Sequence, residues 1–276
     1  KTKKKNFINF LFYFSLHNIF RLKMKKIYDK FLHSEVELLL IPFEGQPFQL
    51  EAIKFIKDKS KKSKVIGYIH SYPSFPSHLI KKENYPDKLI VSSEDQFNFF
   101  KSKIIDKKNI KCFKSLRFNK KDPSTMINKI FLPIDFYSTK NILYEFKILL
   151  FDILEKKNLL NFKVCNHPAS SNSSKHKKLS KEIERHIKTS ENDKNFKNNY
   201  SIFIGSTGSI LEALELGIEI YHITEEPIFE IYSNSIWDNL KVLKLSDKIF
   251  SYKLIKKNKS MLLGETINNF QEYIAI

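Results

Sequence analysis

The segment from Tyr200 to Gly217, with the sequence Y-S-I-F-I-G-S-T-G-S-I-L-E-A-L-E-L-G, constrains what this chain can fold into more than any other. It predicts a buried strand over Ser201–Ile204, then a turn, then a helix whose apolar face begins at Ile210. Gly217 stands where a helix-terminating glycine is expected. A strand, a turn and a helix in this order indicate a fold with parallel sheets.

The turn of this segment is rich in glycine and hydroxyl groups. A helix follows it, and the first backbone N–H groups of a helix have no partner inside the helix. Such a turn is a place where proteins hold phosphate groups. Serine and threonine are also the usual N-cap residues, so an ordinary helix cap is the alternative interpretation. The turn consists of Gly205, Ser206, Thr207, Gly208 and Ser209.

Strand-like apolar runs and helix-like periodicity alternate along the rest of the chain. The alternation predicts an α/β fold of two Rossmann-like domains, each with a parallel sheet and helices on both faces. The polar, lysine-rich stretch Asn119–Thr125 is the predicted linker, which gives domains at residues 1–120 and 121–276. The predicted strands are Glu37–Pro42, Lys64–His70, Lys88–Ser92, Ile110–Phe113, Lys129–Ile134, Phe162–Asn166, Ser201–Ile204 and Glu219–Ile223, and the predicted helices are Phe48–Lys59, Glu94–Lys103, Thr139–Lys157, Leu179–Lys188 and Ile210–Leu216.

The chain has 276 residues and a formal net charge of +18, which at first suggests a nucleic-acid partner. Only three of its 48 basic residues are arginines, however. Arginine is the favoured residue for bidentate recognition of phosphates and bases, so this lysine-rich charge does not predict nucleic-acid binding. Attraction to anionic membrane surfaces or anionic substrates is compatible with it.

The N-terminal segment Phe7–Phe20 is aromatic and apolar, but it is too short and too polar to span a bilayer. No small-residue cleavage site follows it, so we do not expect a signal peptide. It predicts either the first helix of the fold or an interfacial helix on a membrane. Because Lys1 stands first, the N-terminal domain is expected to be truncated. The two cysteines, Cys112 and Cys165, are too few for a disulfide framework and are compatible with a reducing cytoplasm.

Polar residues stand at the carboxyl ends of four predicted strands, which is the edge where open parallel sheets bind ligands. They are Glu44, His70, the pair His167-Pro168, and the turn Gly205–Ser209. Each has an ordinary explanation by itself, because a histidine after a strand often serves only for capping or packing. Because all four follow the carboxyl ends of predicted parallel strands, together they predict a functional site.

Three of these segments, Pro42–Gly45, Asn166–Pro168 and Gly205–Ser209, resemble motifs of glycosyltransferases with the two-Rossmann GT-B architecture. The likeness is greatest to bacterial surface-carbohydrate and sialyltransferase-type enzymes, and it covers residues 36–240. It implies an active-site cleft between the two domains. It also implies that Glu44 is the general base and that His167, Pro168 and the turn hold the nucleotide phosphate. Phe43 stands where the family carries a second acid.

The resemblance implies transfer of a sugar, with inversion at the anomeric carbon, from a nucleotide donor to a polysaccharide or glycolipid acceptor. The His-Pro and Ser/Thr motifs resemble those of enzymes that use CMP-linked donors. The reaction needs a base for the acceptor hydroxyl and donors for the departing phosphate. Desolvation in a cleft would raise the pKa of Glu44 toward a useful value. The sequence has no Asp-x-Asp pair, so no metal or other cofactor is expected.

Other polar residues also follow predicted strands. Ser138 and Thr139 either contact the donor or cap the helix Thr139–Lys157. Glu225 either accepts hydrogen bonds from ribose hydroxyls or is an exposed loop acid. Trp237, the only tryptophan, is expected in a core.

Two further functions stay open at this point. Teichoic-acid-type enzymes, which transfer a polyol phosphate from a CDP-activated donor, resemble this chain in carrying a histidine where His70 stands. A non-catalytic protein that binds nucleotides or polyanions is the third possibility. For either enzyme we expect a cytoplasmic protein, with peripheral contact to the inner face of the membrane, in capsule or lipopolysaccharide biosynthesis.

Overall fold

The computed structural model describes residues 16–31, 36–69, 85–103, 107–113, 122–154, 162–170, 173–188, 199–205, 207–224 and 237–255. Helices and strands alternate along them and form a mixed α/β fold with two sheets. Unit 1 comprises the described parts of Lys1–Ser92 and Phe97–Phe113, and unit 2 comprises those of Ser93–Gln96 and Lys114–Glu265. The predicted boundary at 120/121 falls outside the described residues.

Unit 1 contains a four-stranded sheet in which every strand is parallel to its neighbours and lies beside the strand next to it in sequence. Its order is therefore β1-β2-β3-β4, without a reversal among the described strands. The elements are α1 (Leu16–Phe31), β1 (Leu38–Pro42), α2 (Pro47–Lys59), β2 (Lys64–Tyr68), β3 (Lys88–Val91), α3 (Glu94–Lys103) and β4 (Ile110–Cys112).

The core of unit 1 is closely packed around Gly67 in β2. A Cβ atom at this position would lie 2.6 Å from Cγ of Pro86 and 3.0 Å from side-chain atoms of Leu89 and Phe43. Only glycine fits there, because real side chains essentially never make contacts that short. The buried residues Ile53 and Phe43 belong to the same cluster, so the start of α2 and the end of β1 are fixed against the sheet.

Unit 2 contains a six-stranded sheet in the order β6-β5-β7-β8-β10-β9. The four strands β6, β5, β7 and β8 are parallel, and β10 and β9 are antiparallel to their neighbours. The elements are β5 (Lys129–Phe131), α4 (Thr139–Ile148), β6 (Lys163–Cys165), α5 (Ser174–Ile187), β7 (Tyr200–Ile204), α6 (Ser209–Glu215), β8 (Glu219–Ile223), β9 (Leu240–Lys244) and β10 (Ile249–Leu254).

The strand order of unit 2 reverses between β5 and β7. The chain passes from β5 to β6 on one side, and then returns to place β7 on the other side of β5. In open α/β sheets such a reversal leaves a crevice at the carboxyl ends of the two central strands, because the two connections leave in opposite directions. Buried residues of β5, α4, α5 and β7, among them Ile130, Phe146, Leu179 and Ile202, form the core beneath it.

The predicted strands and helices of the described residues are present, with shifted ends, and Glu94–Lys103 and Glu219–Ile223 have the predicted bounds. Three features differ. The α-helical part of α4 ends at Ile148, where a π-helical turn follows, and α5 begins at Ser174 instead of Leu179. The antiparallel strands β9 and β10 were not predicted. Of Phe7–Phe20, only Leu16–Phe20 is described, as part of α1.

Candidate functional site

The loops that follow β5 and β7 touch each other at the strand-order reversal. Gly205, directly after β7, has a φ of +73°, and a Cβ atom there would lie 2.8 Å from Cβ of Pro133. The N–H of Gly205 donates to the carbonyl of Ile223 at 2.8 Å, which fixes it to β8 as well. Glycine is therefore required by both backbone conformation and space, and the two loops form one surface.

The turn after Gly205 is an ordinary helix start in part. The hydroxyl of Thr207 accepts from the N–H of Ser209 at 3.4 Å, and the carbonyls of Thr207 and Gly208 accept from the next helical N–H groups. The N-cap residue itself is Gly208, which has no side chain to cap the helix, so Thr207 makes its contact from one position before the N-cap. Helix α6 has only 7 residues, so it adds little field of its own. The half-buried side chains of Thr207 and Ser209 are what this turn offers a ligand.

The loop between β5 and α4 carries Ser138 and Thr139. The hydroxyl of Ser138 accepts from the N–H of Asn141 at 3.3 Å, so Ser138 caps α4, and Thr139 is the first residue of that helix. Both side chains are half-buried. Two large apolar residues of this loop, Ile134 and Tyr137, are 60 % and 85 % exposed. The loop therefore combines a helix cap with an exposed apolar surface at the carboxyl edge.

The first turn of α5 holds this loop in place through two residues that the sequence did not indicate. The Nε2–H of the buried His176 donates to the carbonyl of Pro133 at 3.0 Å, and its ring packs edge-on against Phe136 at 4.8 Å between centroids. Lys175 donates to the carbonyl of Phe136, lies 4.1 Å from the centre of that ring, and lies 3.6 Å from a carboxylate oxygen of Asp135. The shape of the loop thus depends on α5.

His176 was missed because the helix was predicted to begin at Leu179. The signal was present, since His176, Leu179, Ser180, Ile183 and Ile187 recur at helical spacing and form the buried face of α5. With its hydrogen on Nε2, the ring leaves Nδ1 as a buried acceptor that no group in the described part of the chain donates to.

His167 follows β6 at the same edge, beside the β5 loop. Its Nδ1 accepts from the N–H of Ala169 at 3.2 Å, and its carbonyl accepts from the N–H of Ser170 at 2.9 Å. Because Nδ1 is an acceptor, the neutral ring carries its hydrogen on Nε2, and this half-exposed N–H is a donor for a ligand. Pro168 is exposed and begins the short 3₁₀ turn Pro168–Ser170, which sets the direction of the ring.

The geometry of the sheet brings His167 and the Gly205 turn to opposite sides of Pro133. Cys165 of β6 pairs with Phe131 of β5, which in turn pairs with Phe203 of β7. Neighbouring strands lie about 4.8 Å apart, so the ends of β6 and β7 are roughly 10 Å apart across the edge.

Glu44 lies in unit 1, in the turn between β1 and α2. Gln49, which is 5 % exposed, accepts through Oε1 from the N–H groups of Glu44 at 2.8 Å and Gln46 at 3.0 Å. Its Nε2 donates to the carbonyl of Pro42 at 2.7 Å. Three hydrogen bonds from one buried side chain thus fix the turn that carries the half-buried Glu44.

Phe43, the residue before Glu44, belongs to the core of unit 1. Its side chain is fully buried, and its ring contacts Tyr85 at 5.3 Å between centroids in an edge-on arrangement. A carboxylate there would lie in the core of unit 1 without water, which is strongly unfavourable. Position 43 is therefore structural in this chain.

The remaining predicted residues, His70, Ser206 and Glu225, lie outside the described residues. Their assigned roles stay predictions. Trp237 is fully buried in unit 2, as predicted for a core residue.

The unit 2 edge offers hydrogen-bond donors, and no side chain there is set up as a nucleophile among the described residues. Burial raises the pKa of the Cys165 thiol, although Lys129 and Lys163 act in the opposite direction, so a thiolate nucleophile beside His167 is disfavoured. In the part of the chain that the structure describes, no three His, Cys, Asp or Glu side chains are grouped as metal ligands.

The unit 2 edge can therefore bind an anion with an attached ring system, through the Nε2–H of His167, the hydroxyls of the two neighbouring loops, and the exposed apolar side chains of Ile134 and Tyr137. Unit 1 offers one carboxylate, that of Glu44, on the turn that Gln49 fixes. No protein-family model, curated protein or solved structure matches this chain.

Proposed function

We propose that the chain is an inverting glycosyltransferase of the GT-B type and that unit 2 binds its nucleotide-sugar donor. The observation that carries this proposal is the reversal of strand order between β5 and β7, with Gly205 packed on Pro133. Reversals of this kind are where open α/β sheets bind nucleotides. The motifs that resemble glycosyltransferases, at His167 and Gly205–Ser209, follow β6 and β7 at that edge.

In this proposal the donor phosphate lies between His167 and the turn after β7. The Nε2–H of His167 donates to a phosphate oxygen, and the hydroxyls of Thr207 and Ser209 donate from the other side. Ser138 and Thr139 line the neighbouring loop. These hydrogen-bond donors stabilise the negative charge that develops on the phosphate as its bond to the sugar breaks. His176 fixes the loop after β5 before a ligand binds. Hydrogen-bond donors held in place in this way need little reorganisation during the reaction.

Glu44 is the proposed general base. Its carboxylate takes the proton of the acceptor hydroxyl while that oxygen forms a bond to the anomeric carbon. The bond from that carbon to the phosphate oxygen breaks in the same step, and the nucleotide departs with the electron pair. A single displacement inverts the anomeric carbon. The acceptor is proposed to be a cell-surface polysaccharide or glycolipid.

Nucleotide binding tests the proposal first, by thermal unfolding in the presence of CMP, CDP, UDP, GDP or ADP, with and without EDTA. A ligand that binds only the folded chain raises the melting temperature. We expect one nucleotide to do so, with cytidine nucleotides as the leading candidates, and the increase to be unaffected by EDTA.

Two histidine variants locate the site. His167→Ala should abolish the increase in melting temperature. His186→Ala is the matched control, because His186 lies in the last turn of α5, at the opposite end from Lys175 and His176. Equal losses in both variants, or no response to any nucleotide, would overturn the donor site. Phosphate in the transferred group would instead indicate a polyol phosphotransferase.

A further inference from the structure

Helix α1 exposes two large apolar side chains to solvent. Ile19 is 38 % exposed and Ile27 is 44 % exposed. They lie eight residues apart and therefore on nearly the same side of the helix. On another side, Tyr28 packs against Phe55 of α2 at 6.1 Å between ring centroids, which attaches the helix to unit 1. Ile19 lies on the opposite side of the helix from Tyr28, and Ile27 lies about 100° around the helix from it.

Three lysines share the side of the two isoleucines. Lys23, Lys26 and Lys30 are exposed. Each residue turns a helix by about 100°, so these lysines and the isoleucines occupy an arc of roughly 100°. Asp29, the only acidic residue of the helix, lies outside that arc. We call this surface the α1 face: Ile19, Lys23, Lys26, Ile27 and Lys30.

We propose that the α1 face binds the surface of an anionic lipid bilayer. Apolar side chains flanked by lysines are the composition of helices that lie in the membrane interface. The isoleucines would enter the boundary between headgroups and acyl chains, while the lysine stems extend so that their charges meet lipid phosphates and carboxylates. The charge of the face matches this partner, because lysine attracts anionic headgroups without needing a fixed geometry.

A comparison with α5 shows how the α1 face differs from the surface of an ordinary basic helix. Helix α5 also exposes lysines, namely Lys177, Lys178 and Lys181. None of its large apolar residues is among the exposed ones, since its apolar side is buried in the core of unit 2. Charge alone characterises α5, whereas α1 combines charge with exposed apolar surface. None of the described helices is long and apolar enough to cross a membrane, so the proposed contact is peripheral.

The test is co-sedimentation of the full chain with lipid vesicles. Vesicles of phosphatidylcholine alone are compared with vesicles that also contain about 30 % phosphatidylserine, an anionic lipid of the kind that attracts basic segments. We expect binding only to the anionic vesicles and a clear loss of binding at about 0.5 M salt, because salt screens exposed charges. Binding to neither vesicle type would overturn the proposal.

Two charge-reversal variants with equal net charge locate the surface. Replacing Lys23, Lys26 and Lys30 by Glu should lower the partition coefficient about 100-fold or more, since each lysine near an anionic surface contributes roughly a factor of five. The matched control replaces Lys177, Lys178 and Lys181 by Glu, and it should lower it far less. Equal losses in the two variants would show attraction to net charge alone and would overturn the proposal.

A third variant, Ile19→Ser with Ile27→Ser, keeps all charges and removes the apolar contact. It should weaken binding to anionic vesicles about tenfold, by the loss of buried apolar area. Unchanged binding, or equally tight binding of the unaltered chain to RNA, would identify a general polyanion surface instead. Circular dichroism on every variant shows that the fold is retained. These readouts use no nucleotide, so they are independent of the proposed transferase activity.

Discussion

The carboxyl edges of the two sheets are built differently. In unit 1 the strands follow one another in sequence order, and a single side chain, Gln49, fixes the turn that carries Glu44. In unit 2 the order reverses, and the turn after β7 rests on the loop after β5, which α5 holds through His176. A locally fixed turn suits the placement of one reactive group. An edge assembled from several elements suits the binding of a whole molecule.

In this comparison the turn of unit 1 places one reactive group and the edge of unit 2 binds a molecule. The substitution Glu44→Gln is its sharpest test. We expect the rate of sugar transfer to fall by about 10²–10⁴-fold, the usual contribution of a general base, while nucleotide binding by unit 2 is unchanged. Product formation is followed with an acceptor glycan, and binding by thermal shift. Unchanged transfer would remove Glu44 from the mechanism and make His70 the better candidate for the base.

Two glycine variants measure how firmly the loops of unit 2 touch. Gly205→Ala should lower the free energy of unfolding by about 2–4 kcal/mol, because it combines an unfavourable φ with a clash against Pro133. Gly217→Ala is the matched control, since its φ is +78° but nothing lies within 4 Å of the added carbon. It should cost only about 1–2 kcal/mol.

Urea unfolding of both glycine variants gives the comparison. The excess cost at Gly205 measures how strongly the loop after β5 resists displacement by the added carbon, and it should be accompanied by weaker nucleotide binding. Equal costs at the two glycines would show that the loop after β5 yields, and the edge of unit 2 would then be less rigid than the geometry implies.

Gln49 is expected to matter for both stability and catalysis. Gln49→Ala leaves the N–H groups of Glu44 and Gln46 and the carbonyl of Pro42 without their partner, which should cost about 2–3 kcal/mol. The transfer rate should fall, with nucleotide affinity unchanged. Gln49→Glu keeps the acceptor oxygen but places a buried carboxylate oxygen against the carbonyl of Pro42, so it should lower the free energy of unfolding at least as much as Gln49→Ala. A change in nucleotide affinity instead would show that Gln49 does not act through the Glu44 turn.

Tyr85→Phe should have the smallest effect near neutral pH. The hydroxyl of Tyr85 has no hydrogen-bond partner among the described residues, so its removal should be neutral or slightly stabilising. Desolvation raises the pKa of Tyr85 from 10.0 to about 12. The folded state therefore retains this proton more tightly than the unfolded state, and the stability it contributes is complete below pH 10 and is lost as the pH rises toward 12.

The measurement is the free energy of unfolding against pH for Tyr85→Phe and for the unaltered chain. Lysine residues titrate in the same range in both proteins, so their effect cancels in the difference. We expect the difference to change between pH 10 and 12 in favour of the variant. A constant difference would show that the phenol is not desolvated.

Much of the element order could be predicted, because a strand buried on both faces, such as Tyr200–Ile204, is a continuous apolar run. The reversal of strand order could not, since periodicity does not say on which side of β5 a later strand is placed. His176 was missed because its helix was predicted to begin at Leu179 and its partner lies 43 residues earlier in the chain. Gln49 acts locally, but a glutamine in the first turn of a helix does not by itself indicate that its side chain is buried. The burial of Phe43 shows a further limit, since a motif position can serve the core instead of the site.

The contact between Gly205 and Pro133 also has a mechanical meaning. A carbon added to Gly205 would overlap the proline, and Pro133 is hydrogen-bonded through its carbonyl to His176. The turn after β7, the loop after β5 and the start of α5 therefore form a chain of direct contacts. A displacement of the turn after β7 toward the loop after β5 would therefore press on a proline whose carbonyl is held by the buried first turn of α5.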